Sequence, residues 1–139
     1  MTQKFSVFEL LTPKESTYYI PDNSTIRQAV EKFKSHKFSV VPIIDKEGNY
    51  ITSVSEGDIL RFITNNSNNY LEVAETIKVI DIEKNRPYVS LNADAVFDEV
   101  YALCLSQNFV PIVDDRNKLI GIIKRKDVFV YLRNNFKDM

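Results

Sequence analysis

Glycine is scarce in this chain, and histidine and cysteine occur once each. With three glycines in 139 residues there is neither a Gly-x-x-x-x-Gly-Lys loop nor a Gly-x-Gly-x-x-Gly turn to cradle phosphate. His36 and Cys104 lie far apart in the pattern, and no residues have metal-ligand spacing. No catalytic residue and no metal site are therefore assigned. A single cysteine cannot close an intramolecular disulfide. Cys104 sits in an apolar helical pattern and reads as a buried, inert thiol in a reducing compartment. Neither sign of charge dominates: 18 basic and 19 acidic side chains leave a net charge of −1. That balance removes the broad positive field of a dedicated nucleic-acid binder and leaves room only for a local patch. No uncharged apolar run approaches the roughly 18 residues a membrane span needs. The expected location is cytoplasmic, with no membrane partner. A content of 44% hydrophobic and 27% charged residues fits one soluble globular domain.

What the chain does have is an internal repeat. Val40-Val41-Pro42-Ile43-Ile44-Asp45 recurs as Phe109-Val110-Pro111-Ile112-Val113-Asp114, and Asp58 and Asp127 follow at matching distances, each opening a helix. Both landmarks repeat at 69 residues, so the chain is two tandem copies of one unit. A unit this small buries little apolar surface alone, and the two copies are expected to pack on each other with function in the groove between them.

In the first copy, Tyr18-Tyr19-Ile20 is extended, Pro21 keeps the residue before it out of helix, and Ser24 is the candidate N-cap. Ile26, Val30 and Phe33 recur at helical spacing up to about Ser35-His36. Ser39 to Ile44 reads as a strand covered on both faces, Lys46 to Asn49 as a turn, Tyr50 to Val54 as its hairpin partner, and Glu56 to about Ile63 as a closing helix. The second copy repeats the order. Pro87-Tyr88-Val89 is extended, Val96, Val100 and Leu103 form a helical stripe, Phe109–Val113 and Leu119–Ile123 are strands around the turn Asp115 to Lys118, and a helix runs from Lys126 to about Phe136. The offset of 70 from Tyr18/Tyr88 to Phe33/Leu103 falls to 69 afterwards, which implies one residue lost in the helix-to-strand loop. Thr64 to Asn69 is polar and aperiodic. The first motif is thus placed at about 5–64, the linker at 65–69 and the second motif at about 70–137. Phe5 to Leu11 and Tyr70 to Ile82 are parallel lead-in helices.

These residues resemble a cystathionine-β-synthase (CBS) domain pair, or Bateman module, over about residues 5 to 136. The family's mark is an apolar-Pro-apolar-apolar-Asp strand, a turn, a strand ending in Gly, two apolar residues, Ser or Thr, two more residues and Asp, then a helix. Copy one gives Thr52-Ser53-Val54-Ser55-Glu56-Gly57-Asp58, with Thr52 where Gly is usual; copy two gives Gly121-Ile122-Ile123-Lys124-Arg125-Lys126-Asp127, with Lys124 where Ser or Thr is usual. The resemblance implies an α/β fold of two tandem β-α-β-β-α motifs packed with pseudo-twofold symmetry. It further implies a regulatory module, often a homodimer, that binds AMP, ADP, ATP, S-adenosylmethionine or a cyclic dinucleotide such as cyclic di-AMP in the cleft between motifs. No cofactor is implied beyond that regulatory adenine nucleotide.

A carboxylate can accept hydrogen bonds from both hydroxyls of a ribose, and Asp58 and Asp127 are positioned for it. In a first helical turn, free amide groups and the positive helix end can meet phosphate. Ser55 adds a hydroxyl. Tyr18, Tyr19, Ile20, Tyr88 and Val89 would offer backbone groups to the adenine edge, with Val40, Val41 and Pro42, or Phe109, Val110 and Pro111, as apolar walls. A structural alternative stands beside this. Ser55-Glu56-Gly57-Asp58 also fits a loose capping box, and an acidic first-turn residue is stabilised by the macrodipole without any ligand. Lys124 cannot cap. Lys124, Arg125 and Lys126 oppose the macrodipole at a helix start, a conflict relieved either by bound phosphate or by snorkelling into water. His36 and Lys37 suit a helix C-terminus. Lys14 and Arg61 reach phosphates in the family arrangement, and Tyr131 and Phe136 are candidates for a self-association face. The favoured function is a nucleotide sensor signalling to an effector protein, since the chain carries no effector domain of its own. A ligand-independent dimerisation scaffold is the alternative, and a nucleic-acid accessory protein using Lys124 to Lys126 is a weaker third.

Overall fold

In the computed structural model, which describes residues 5–36, 39–84 and 87–136, the chain forms two compact units that do not follow the order of the repeats. One unit is Tyr18–Pro87; the other joins the residues up to Thr17 to those from Tyr88 onward.

The elements in chain order are β1 (Thr12–Pro13), β2 (Ile20–Pro21), α1 (Ile26–Ser35), β3 (Val40–Ile44), β4 (Tyr50–Ser55), α2 (Glu56–Asn65), α3 (Tyr70–Thr76), β5 (Leu91–Asn92), α4 (Phe97–Cys104), β6 (Phe109–Val113), β7 (Leu119–Lys124) and α5 (Arg125–Phe136). Single 3-10 turns lie at Val7–Glu9, Lys14–Ser16 and Val79–Asp81. Each unit contains the expected β-α-β-β-α order: β2-α1-β3-β4-α2 in one and β5-α4-β6-β7-α5 in the other.

The unit Tyr18–Pro87 has a three-stranded sheet, β2-β3-β4, with β2 parallel to β3 and β3 antiparallel to β4. Its core gathers Ile20, Ile26, Ala29, Val41, Ile43, Val54 and Ile59 with Ala74, Val79 and Ile82 from the lead-in of the second repeat. That lead-in is bonded in place, Ile26 donating its amide to the Ile77 carbonyl at 3.0 Å and Val79 donating to Ser24 at 2.9 Å. The other unit has a four-stranded sheet, β1-β7-β6-β5, and its core includes Val7 of the first repeat's lead-in with Val100, Cys104, Val110, Ile112, Ile123 and Val128. Each lead-in therefore completes the unit built from the other repeat's strands.

Local chemistry explains most boundaries and corrects some. α1 is capped by Thr25 rather than Ser24: Thr25 Oγ1 accepts the Gln28 amide at 3.2 Å, and Gln28 Oε1 accepts the Thr25 amide at 2.9 Å. Ser24 is buried instead, its carbonyl spent on Val79. In the second copy the strand is β5, Leu91–Asn92, rather than Pro87-Tyr88-Val89. Register shows why: Ile20 pairs with Ile43 and Leu91 with Ile112, so the early offset is 71, not 70. The same shift makes Val96 the N-cap of α4 and leaves it 57% exposed, while Val100 and Cys104 face the core. The shortening is two residues and lies in the helix, since α1 has 10 residues and α4 has 8. Both hairpins slip register at one place, between Ile43 and Ile44 and between Ile112 and Val113, so the repeat extends to its irregularities. Asp114 closes its turn by accepting the amides of Lys118 and Arg116, each at 2.9 Å, and these bonds, the Lys118 amide foremost, hold its carboxyl below the usual range.

The glycine departure between the copies has a steric cause. β1 runs antiparallel to β7, with Pro13 opposite Gly121, and a Cβ on Gly121 would stand 2.2 Å from the Thr12 carbonyl oxygen and 2.9 Å from Leu11 Cδ1. β4 is the edge of its three-stranded sheet, so Thr52 is tolerated in the first copy. Gly121→Ala should therefore destabilise the protein by about 2 kcal/mol or more, the scale of an overpacked core. Gly57→Ala, exposed in α2 with only Ser55 Oγ at 3.6 Å from the added carbon, should be neutral or gain up to about 0.5–1 kcal/mol. Urea denaturation of both variants checks the opposite signs.

Candidate functional site

The two motif aspartates begin helices of similar sequence but stand in different surroundings. In the Tyr18–Pro87 unit, Ser55 is the N-cap of α2, its Oγ accepting the Asp58 amide at 3.1 Å while Asp58 Oδ2 accepts the Ser55 amide at 3.0 Å. Asp58 Oδ1 takes a bond of 3.3 Å from Arg61 Nη2, and the aspartate is 4% exposed. Both oxygens are thus engaged within the protein. Arg61 is spent on that carboxylate instead of reaching for phosphate. Lys84, which no sequence pattern singled out, adds positive charge beside Asp58; burial pulls its pKa down, and Asp58 and then Asp81 pull it back up. Its Nζ donates to the carbonyls of Ile80 at 2.8 Å and Ile82 at 2.9 Å, closing the Val79–Asp81 turn. In this copy the capping alternative is the one realised.

The other residues assigned to the first copy divide between core and surface. Val41 and Pro42 are buried, Val41 at 1% exposure, so neither can form an open wall for a base, and Ile20, assigned to offer backbone groups to the adenine edge, lies in the same core and pairs with Ile43 in the sheet. Val40 is half-buried. Tyr18 is exposed, with its ring centroid 4.1 Å from that of His36, and His36 is the C-cap of α1 as its position suggested. Tyr19 borders a shallow groove with Asp22, Asp45 and Lys46. Lys14 lies in the 3-10 turn Lys14–Ser16. Lys37 and the ring of Phe136 lie outside the described residues.

In the other unit, Asp127 sits in the first turn of α5, half-buried, and no hydrogen bond or ion pair engages its carboxylate among the described residues. It opens onto a groove of about 480 Å³ bounded by Glu9, Leu10, Leu11 and Thr12 on one side and by Asp127, Val130, Tyr131, Asn134 and Asn135 of α5 on the other. The first-repeat lead-in thus forms the far wall of the second repeat's groove. Tyr131 also packs against Phe5 and Phe97, with centroids 5.5 and 5.0 Å away, so its ring belongs to this unit's own packing.

The basic triplet divides three ways. Lys124 ends β7 half-buried, Lys126 is exposed, and Arg125 turns back to donate through Nε to the Cys104 carbonyl at 2.8 Å. Arg125 thereby caps the C-terminal end of α4, where a cation is stabilised by the macrodipole rather than opposed by it. None of the three lines the Asp127 groove. Burial raises the Cys104 thiol, with Arg125 opposing the shift.

The second-copy residues assigned to the base are also largely occupied. Val110 is fully buried and Phe109 and Pro111 nearly so; the Phe109 ring lies 5.1 Å from that of Tyr88, whose hydroxyl donates to Asn108 Oδ1 at 3.0 Å. Val89 gives its amide to Gln107 Oε1 at 2.8 Å and its carbonyl to Gln107 Nε2 at 3.1 Å. Gln107 was not singled out by any sequence pattern, since a glutamine after a helix reads as solvent-facing.

The CBS domain family model matches the chain twice, over residues 7–65 and 79–134. A protein of Methanocaldococcus jannaschii, the uncharacterized MJ1426, is 24% identical over 135 residues that cover 77% of this chain and 80% of that protein. The structure of CbpB in complex with c-di-AMP superposes with a TM-score of 0.82 at 23% identity, covering 96% of this chain and 88% of that one. The structure of CBSX2, a CBS-pair protein of Arabidopsis thaliana, in complex with AMP gives a TM-score of 0.74 at 21% identity over 94% of this chain and 98% of that one. At these identities the structural likeness carries the fold.

Replacing the two aspartates should have unequal consequences. Asp58→Ala removes a capping carboxylate and leaves Arg61 and Lys84 without their shared anion, and should cost about 2 kcal/mol of stability in urea denaturation. Asp127→Ala breaks no contact within the described residues and should leave the midpoint unchanged within about 0.5 kcal/mol. Cys104, buried and with its pKa raised, stays protonated at pH 7 to 8 and should react with iodoacetamide only on unfolding, which peptide mass spectrometry follows.

Proposed function

This chain belongs to the CBS domain family, and from that premise we propose that it is a regulatory, ligand-sensing module that binds an adenosine-containing nucleotide, such as AMP, ADP, ATP or cyclic di-AMP, and signals to a partner protein. CBS-pair proteins are generally regulatory modules rather than enzymes. The observation that carries the reading is the state of Asp127: a carboxylate with no partner among the described residues, in the first turn of a helix, opening onto a groove large enough for a nucleoside. Such a group accepts two adjacent hydroxyls with charge-assisted bonds, which is the chemistry a ribose diol requires. Tyr131 and Asn134 beside it add a hydroxyl and an amide. That complexes with c-di-AMP and with AMP occur among proteins of this fold supports the ligand class. The module is read as a cytoplasmic homodimer; no helix among the described residues is long and apolar enough to cross a membrane.

The two repeats are unequal on this reading. With Asp58 closed by Ser55 and Arg61, the sugar-binding role falls to Asp127 alone. A second reading, a ligand-independent dimerisation scaffold, draws on that closed first copy and on the apolar groups left exposed on the helices, Leu60 of α2 and Phe129 of α5 among them.

A thermal-shift panel of AMP, ADP, ATP, S-adenosylmethionine and cyclic di-AMP decides between the two. A ligand at 100 times its dissociation constant adds about 2.7 kcal/mol, a rise of several degrees in melting temperature. The expected result is stabilisation by at least one adenine nucleotide, abolished by Asp127→Ala. No shift with any of the five would favour the scaffold.

A further inference from the structure

Gln107 is among the most buried polar residues of the chain, at 3% exposure, and its carboxamide is turned wholly inward. Its Oε1 accepts the Val89 amide at 2.8 Å, and its Nε2 donates to the Val89 carbonyl at 3.1 Å and to the Phe109 carbonyl at 3.1 Å. Val89 lies in the stretch between the units' boundary and β5, outside any strand, and its side chain is 48% exposed. One residue's amide and carbonyl, side by side and outside a sheet, are thus closed by a single side chain.

The chemistry of that closure is specific. A carboxamide presents an acceptor and a donor next to each other, and adenine presents the same pair at N1 and the N6 amino group.

We propose that Gln107 is an internal stand-in for the base: it occupies the Val89 edge in the free protein and sets the affinity of the second repeat for adenine, which gains that edge only when Gln107 leaves it. This rests on the nucleotide-sensor reading and adds a specificity-determining residue to it. Displacement breaks three bonds and forms two, so the equilibrium favours the closed edge in the unaltered chain. Shortening or removing the carboxamide removes the competitor.

Isothermal titration of the full chain and of Gln107→Ala and Gln107→Asn with AMP, cyclic di-AMP and N6,N6-dimethyl-AMP tests this, with each variant first shown to melt cooperatively. Asn, shorter by one methylene, keeps a polar group at the buried position and decides the matter if Ala does not fold. AMP or cyclic di-AMP should bind the variants about tenfold more tightly, equivalent to about 1.4 kcal/mol. The dimethyl analogue, which has no N6 donor, should show no gain. If the unaltered chain binds AMP or cyclic di-AMP through Asp127 but the variants bind no more tightly, the role of Gln107 is overturned and the sensor reading stands. A gain shared equally by the dimethyl analogue also overturns it. If neither natural nucleotide binds any of the three proteins, the role of Gln107 is overturned, and the sensor reading is decided by the wider panel of five nucleotides.

Discussion

A sheet of a few short strands with two helices has too little interior to close on itself, and each unit of this protein meets that constraint by burying a segment from elsewhere in the chain. Val79 and Ile82 complete one core and Val7 the other. The borrowed segments do more than fill space. On one side, β1 adds a strand to the sheet and presses its backbone against Gly121; on the other, Ser24 and Ile26 are bonded to the incoming Val79 and Ile77. Burial of apolar surface rises steeply with the size of the packed body, so a few added residues at this scale decide whether a unit has a core.

The same arrangement makes the two helix starts unlike. Where the residue before the helix is Ser55, a reciprocal cap forms and consumes the aspartate; where it is Lys124, no cap can form and the aspartate is left to the groove whose other wall is the borrowed lead-in. One substitution in a repeated motif thus separates a structural carboxylate from an available one. Charge follows a similar logic at Arg125, which spends its guanidinium on the end of α4. A run of three cations in sequence is therefore not a patch of three cations in space.

The architecture was largely legible because it is written in patterns that need no tertiary context. The repeated apolar-Pro segments, the hairpin turns and the closing helices fall within a residue or two of their expected places. What failed depended on contacts between distant residues. Ser24 and Thr25 are both good caps, and the choice fell to Thr25 because Gln28 stands three residues on and because Ser24 is needed by Val79. The offset of 71 could not be seen in composition, since Val96, Val100 and Leu103 make as plausible a stripe as the residues that face the core. Site residues were harder still. Val41 and Val110 share the motif with the aspartates but serve the cores, while Gln107 and Lys84 carry no periodic or motif signal and acquire their roles only through folded neighbours.

The exchange of lead-in segments also orders events in time. A chain made from its N-terminus releases residues 18–87 as a contiguous stretch holding every element of one unit, which can fold as soon as it emerges. The stretch that ends in β1 is made before that unit yet has no sheet to join until β7, more than a hundred residues later, has been made. A segment made before either sheet is thus among the last to find its place, and until then Val7, Leu10 and Leu11 must wait in water beside a partly finished protein.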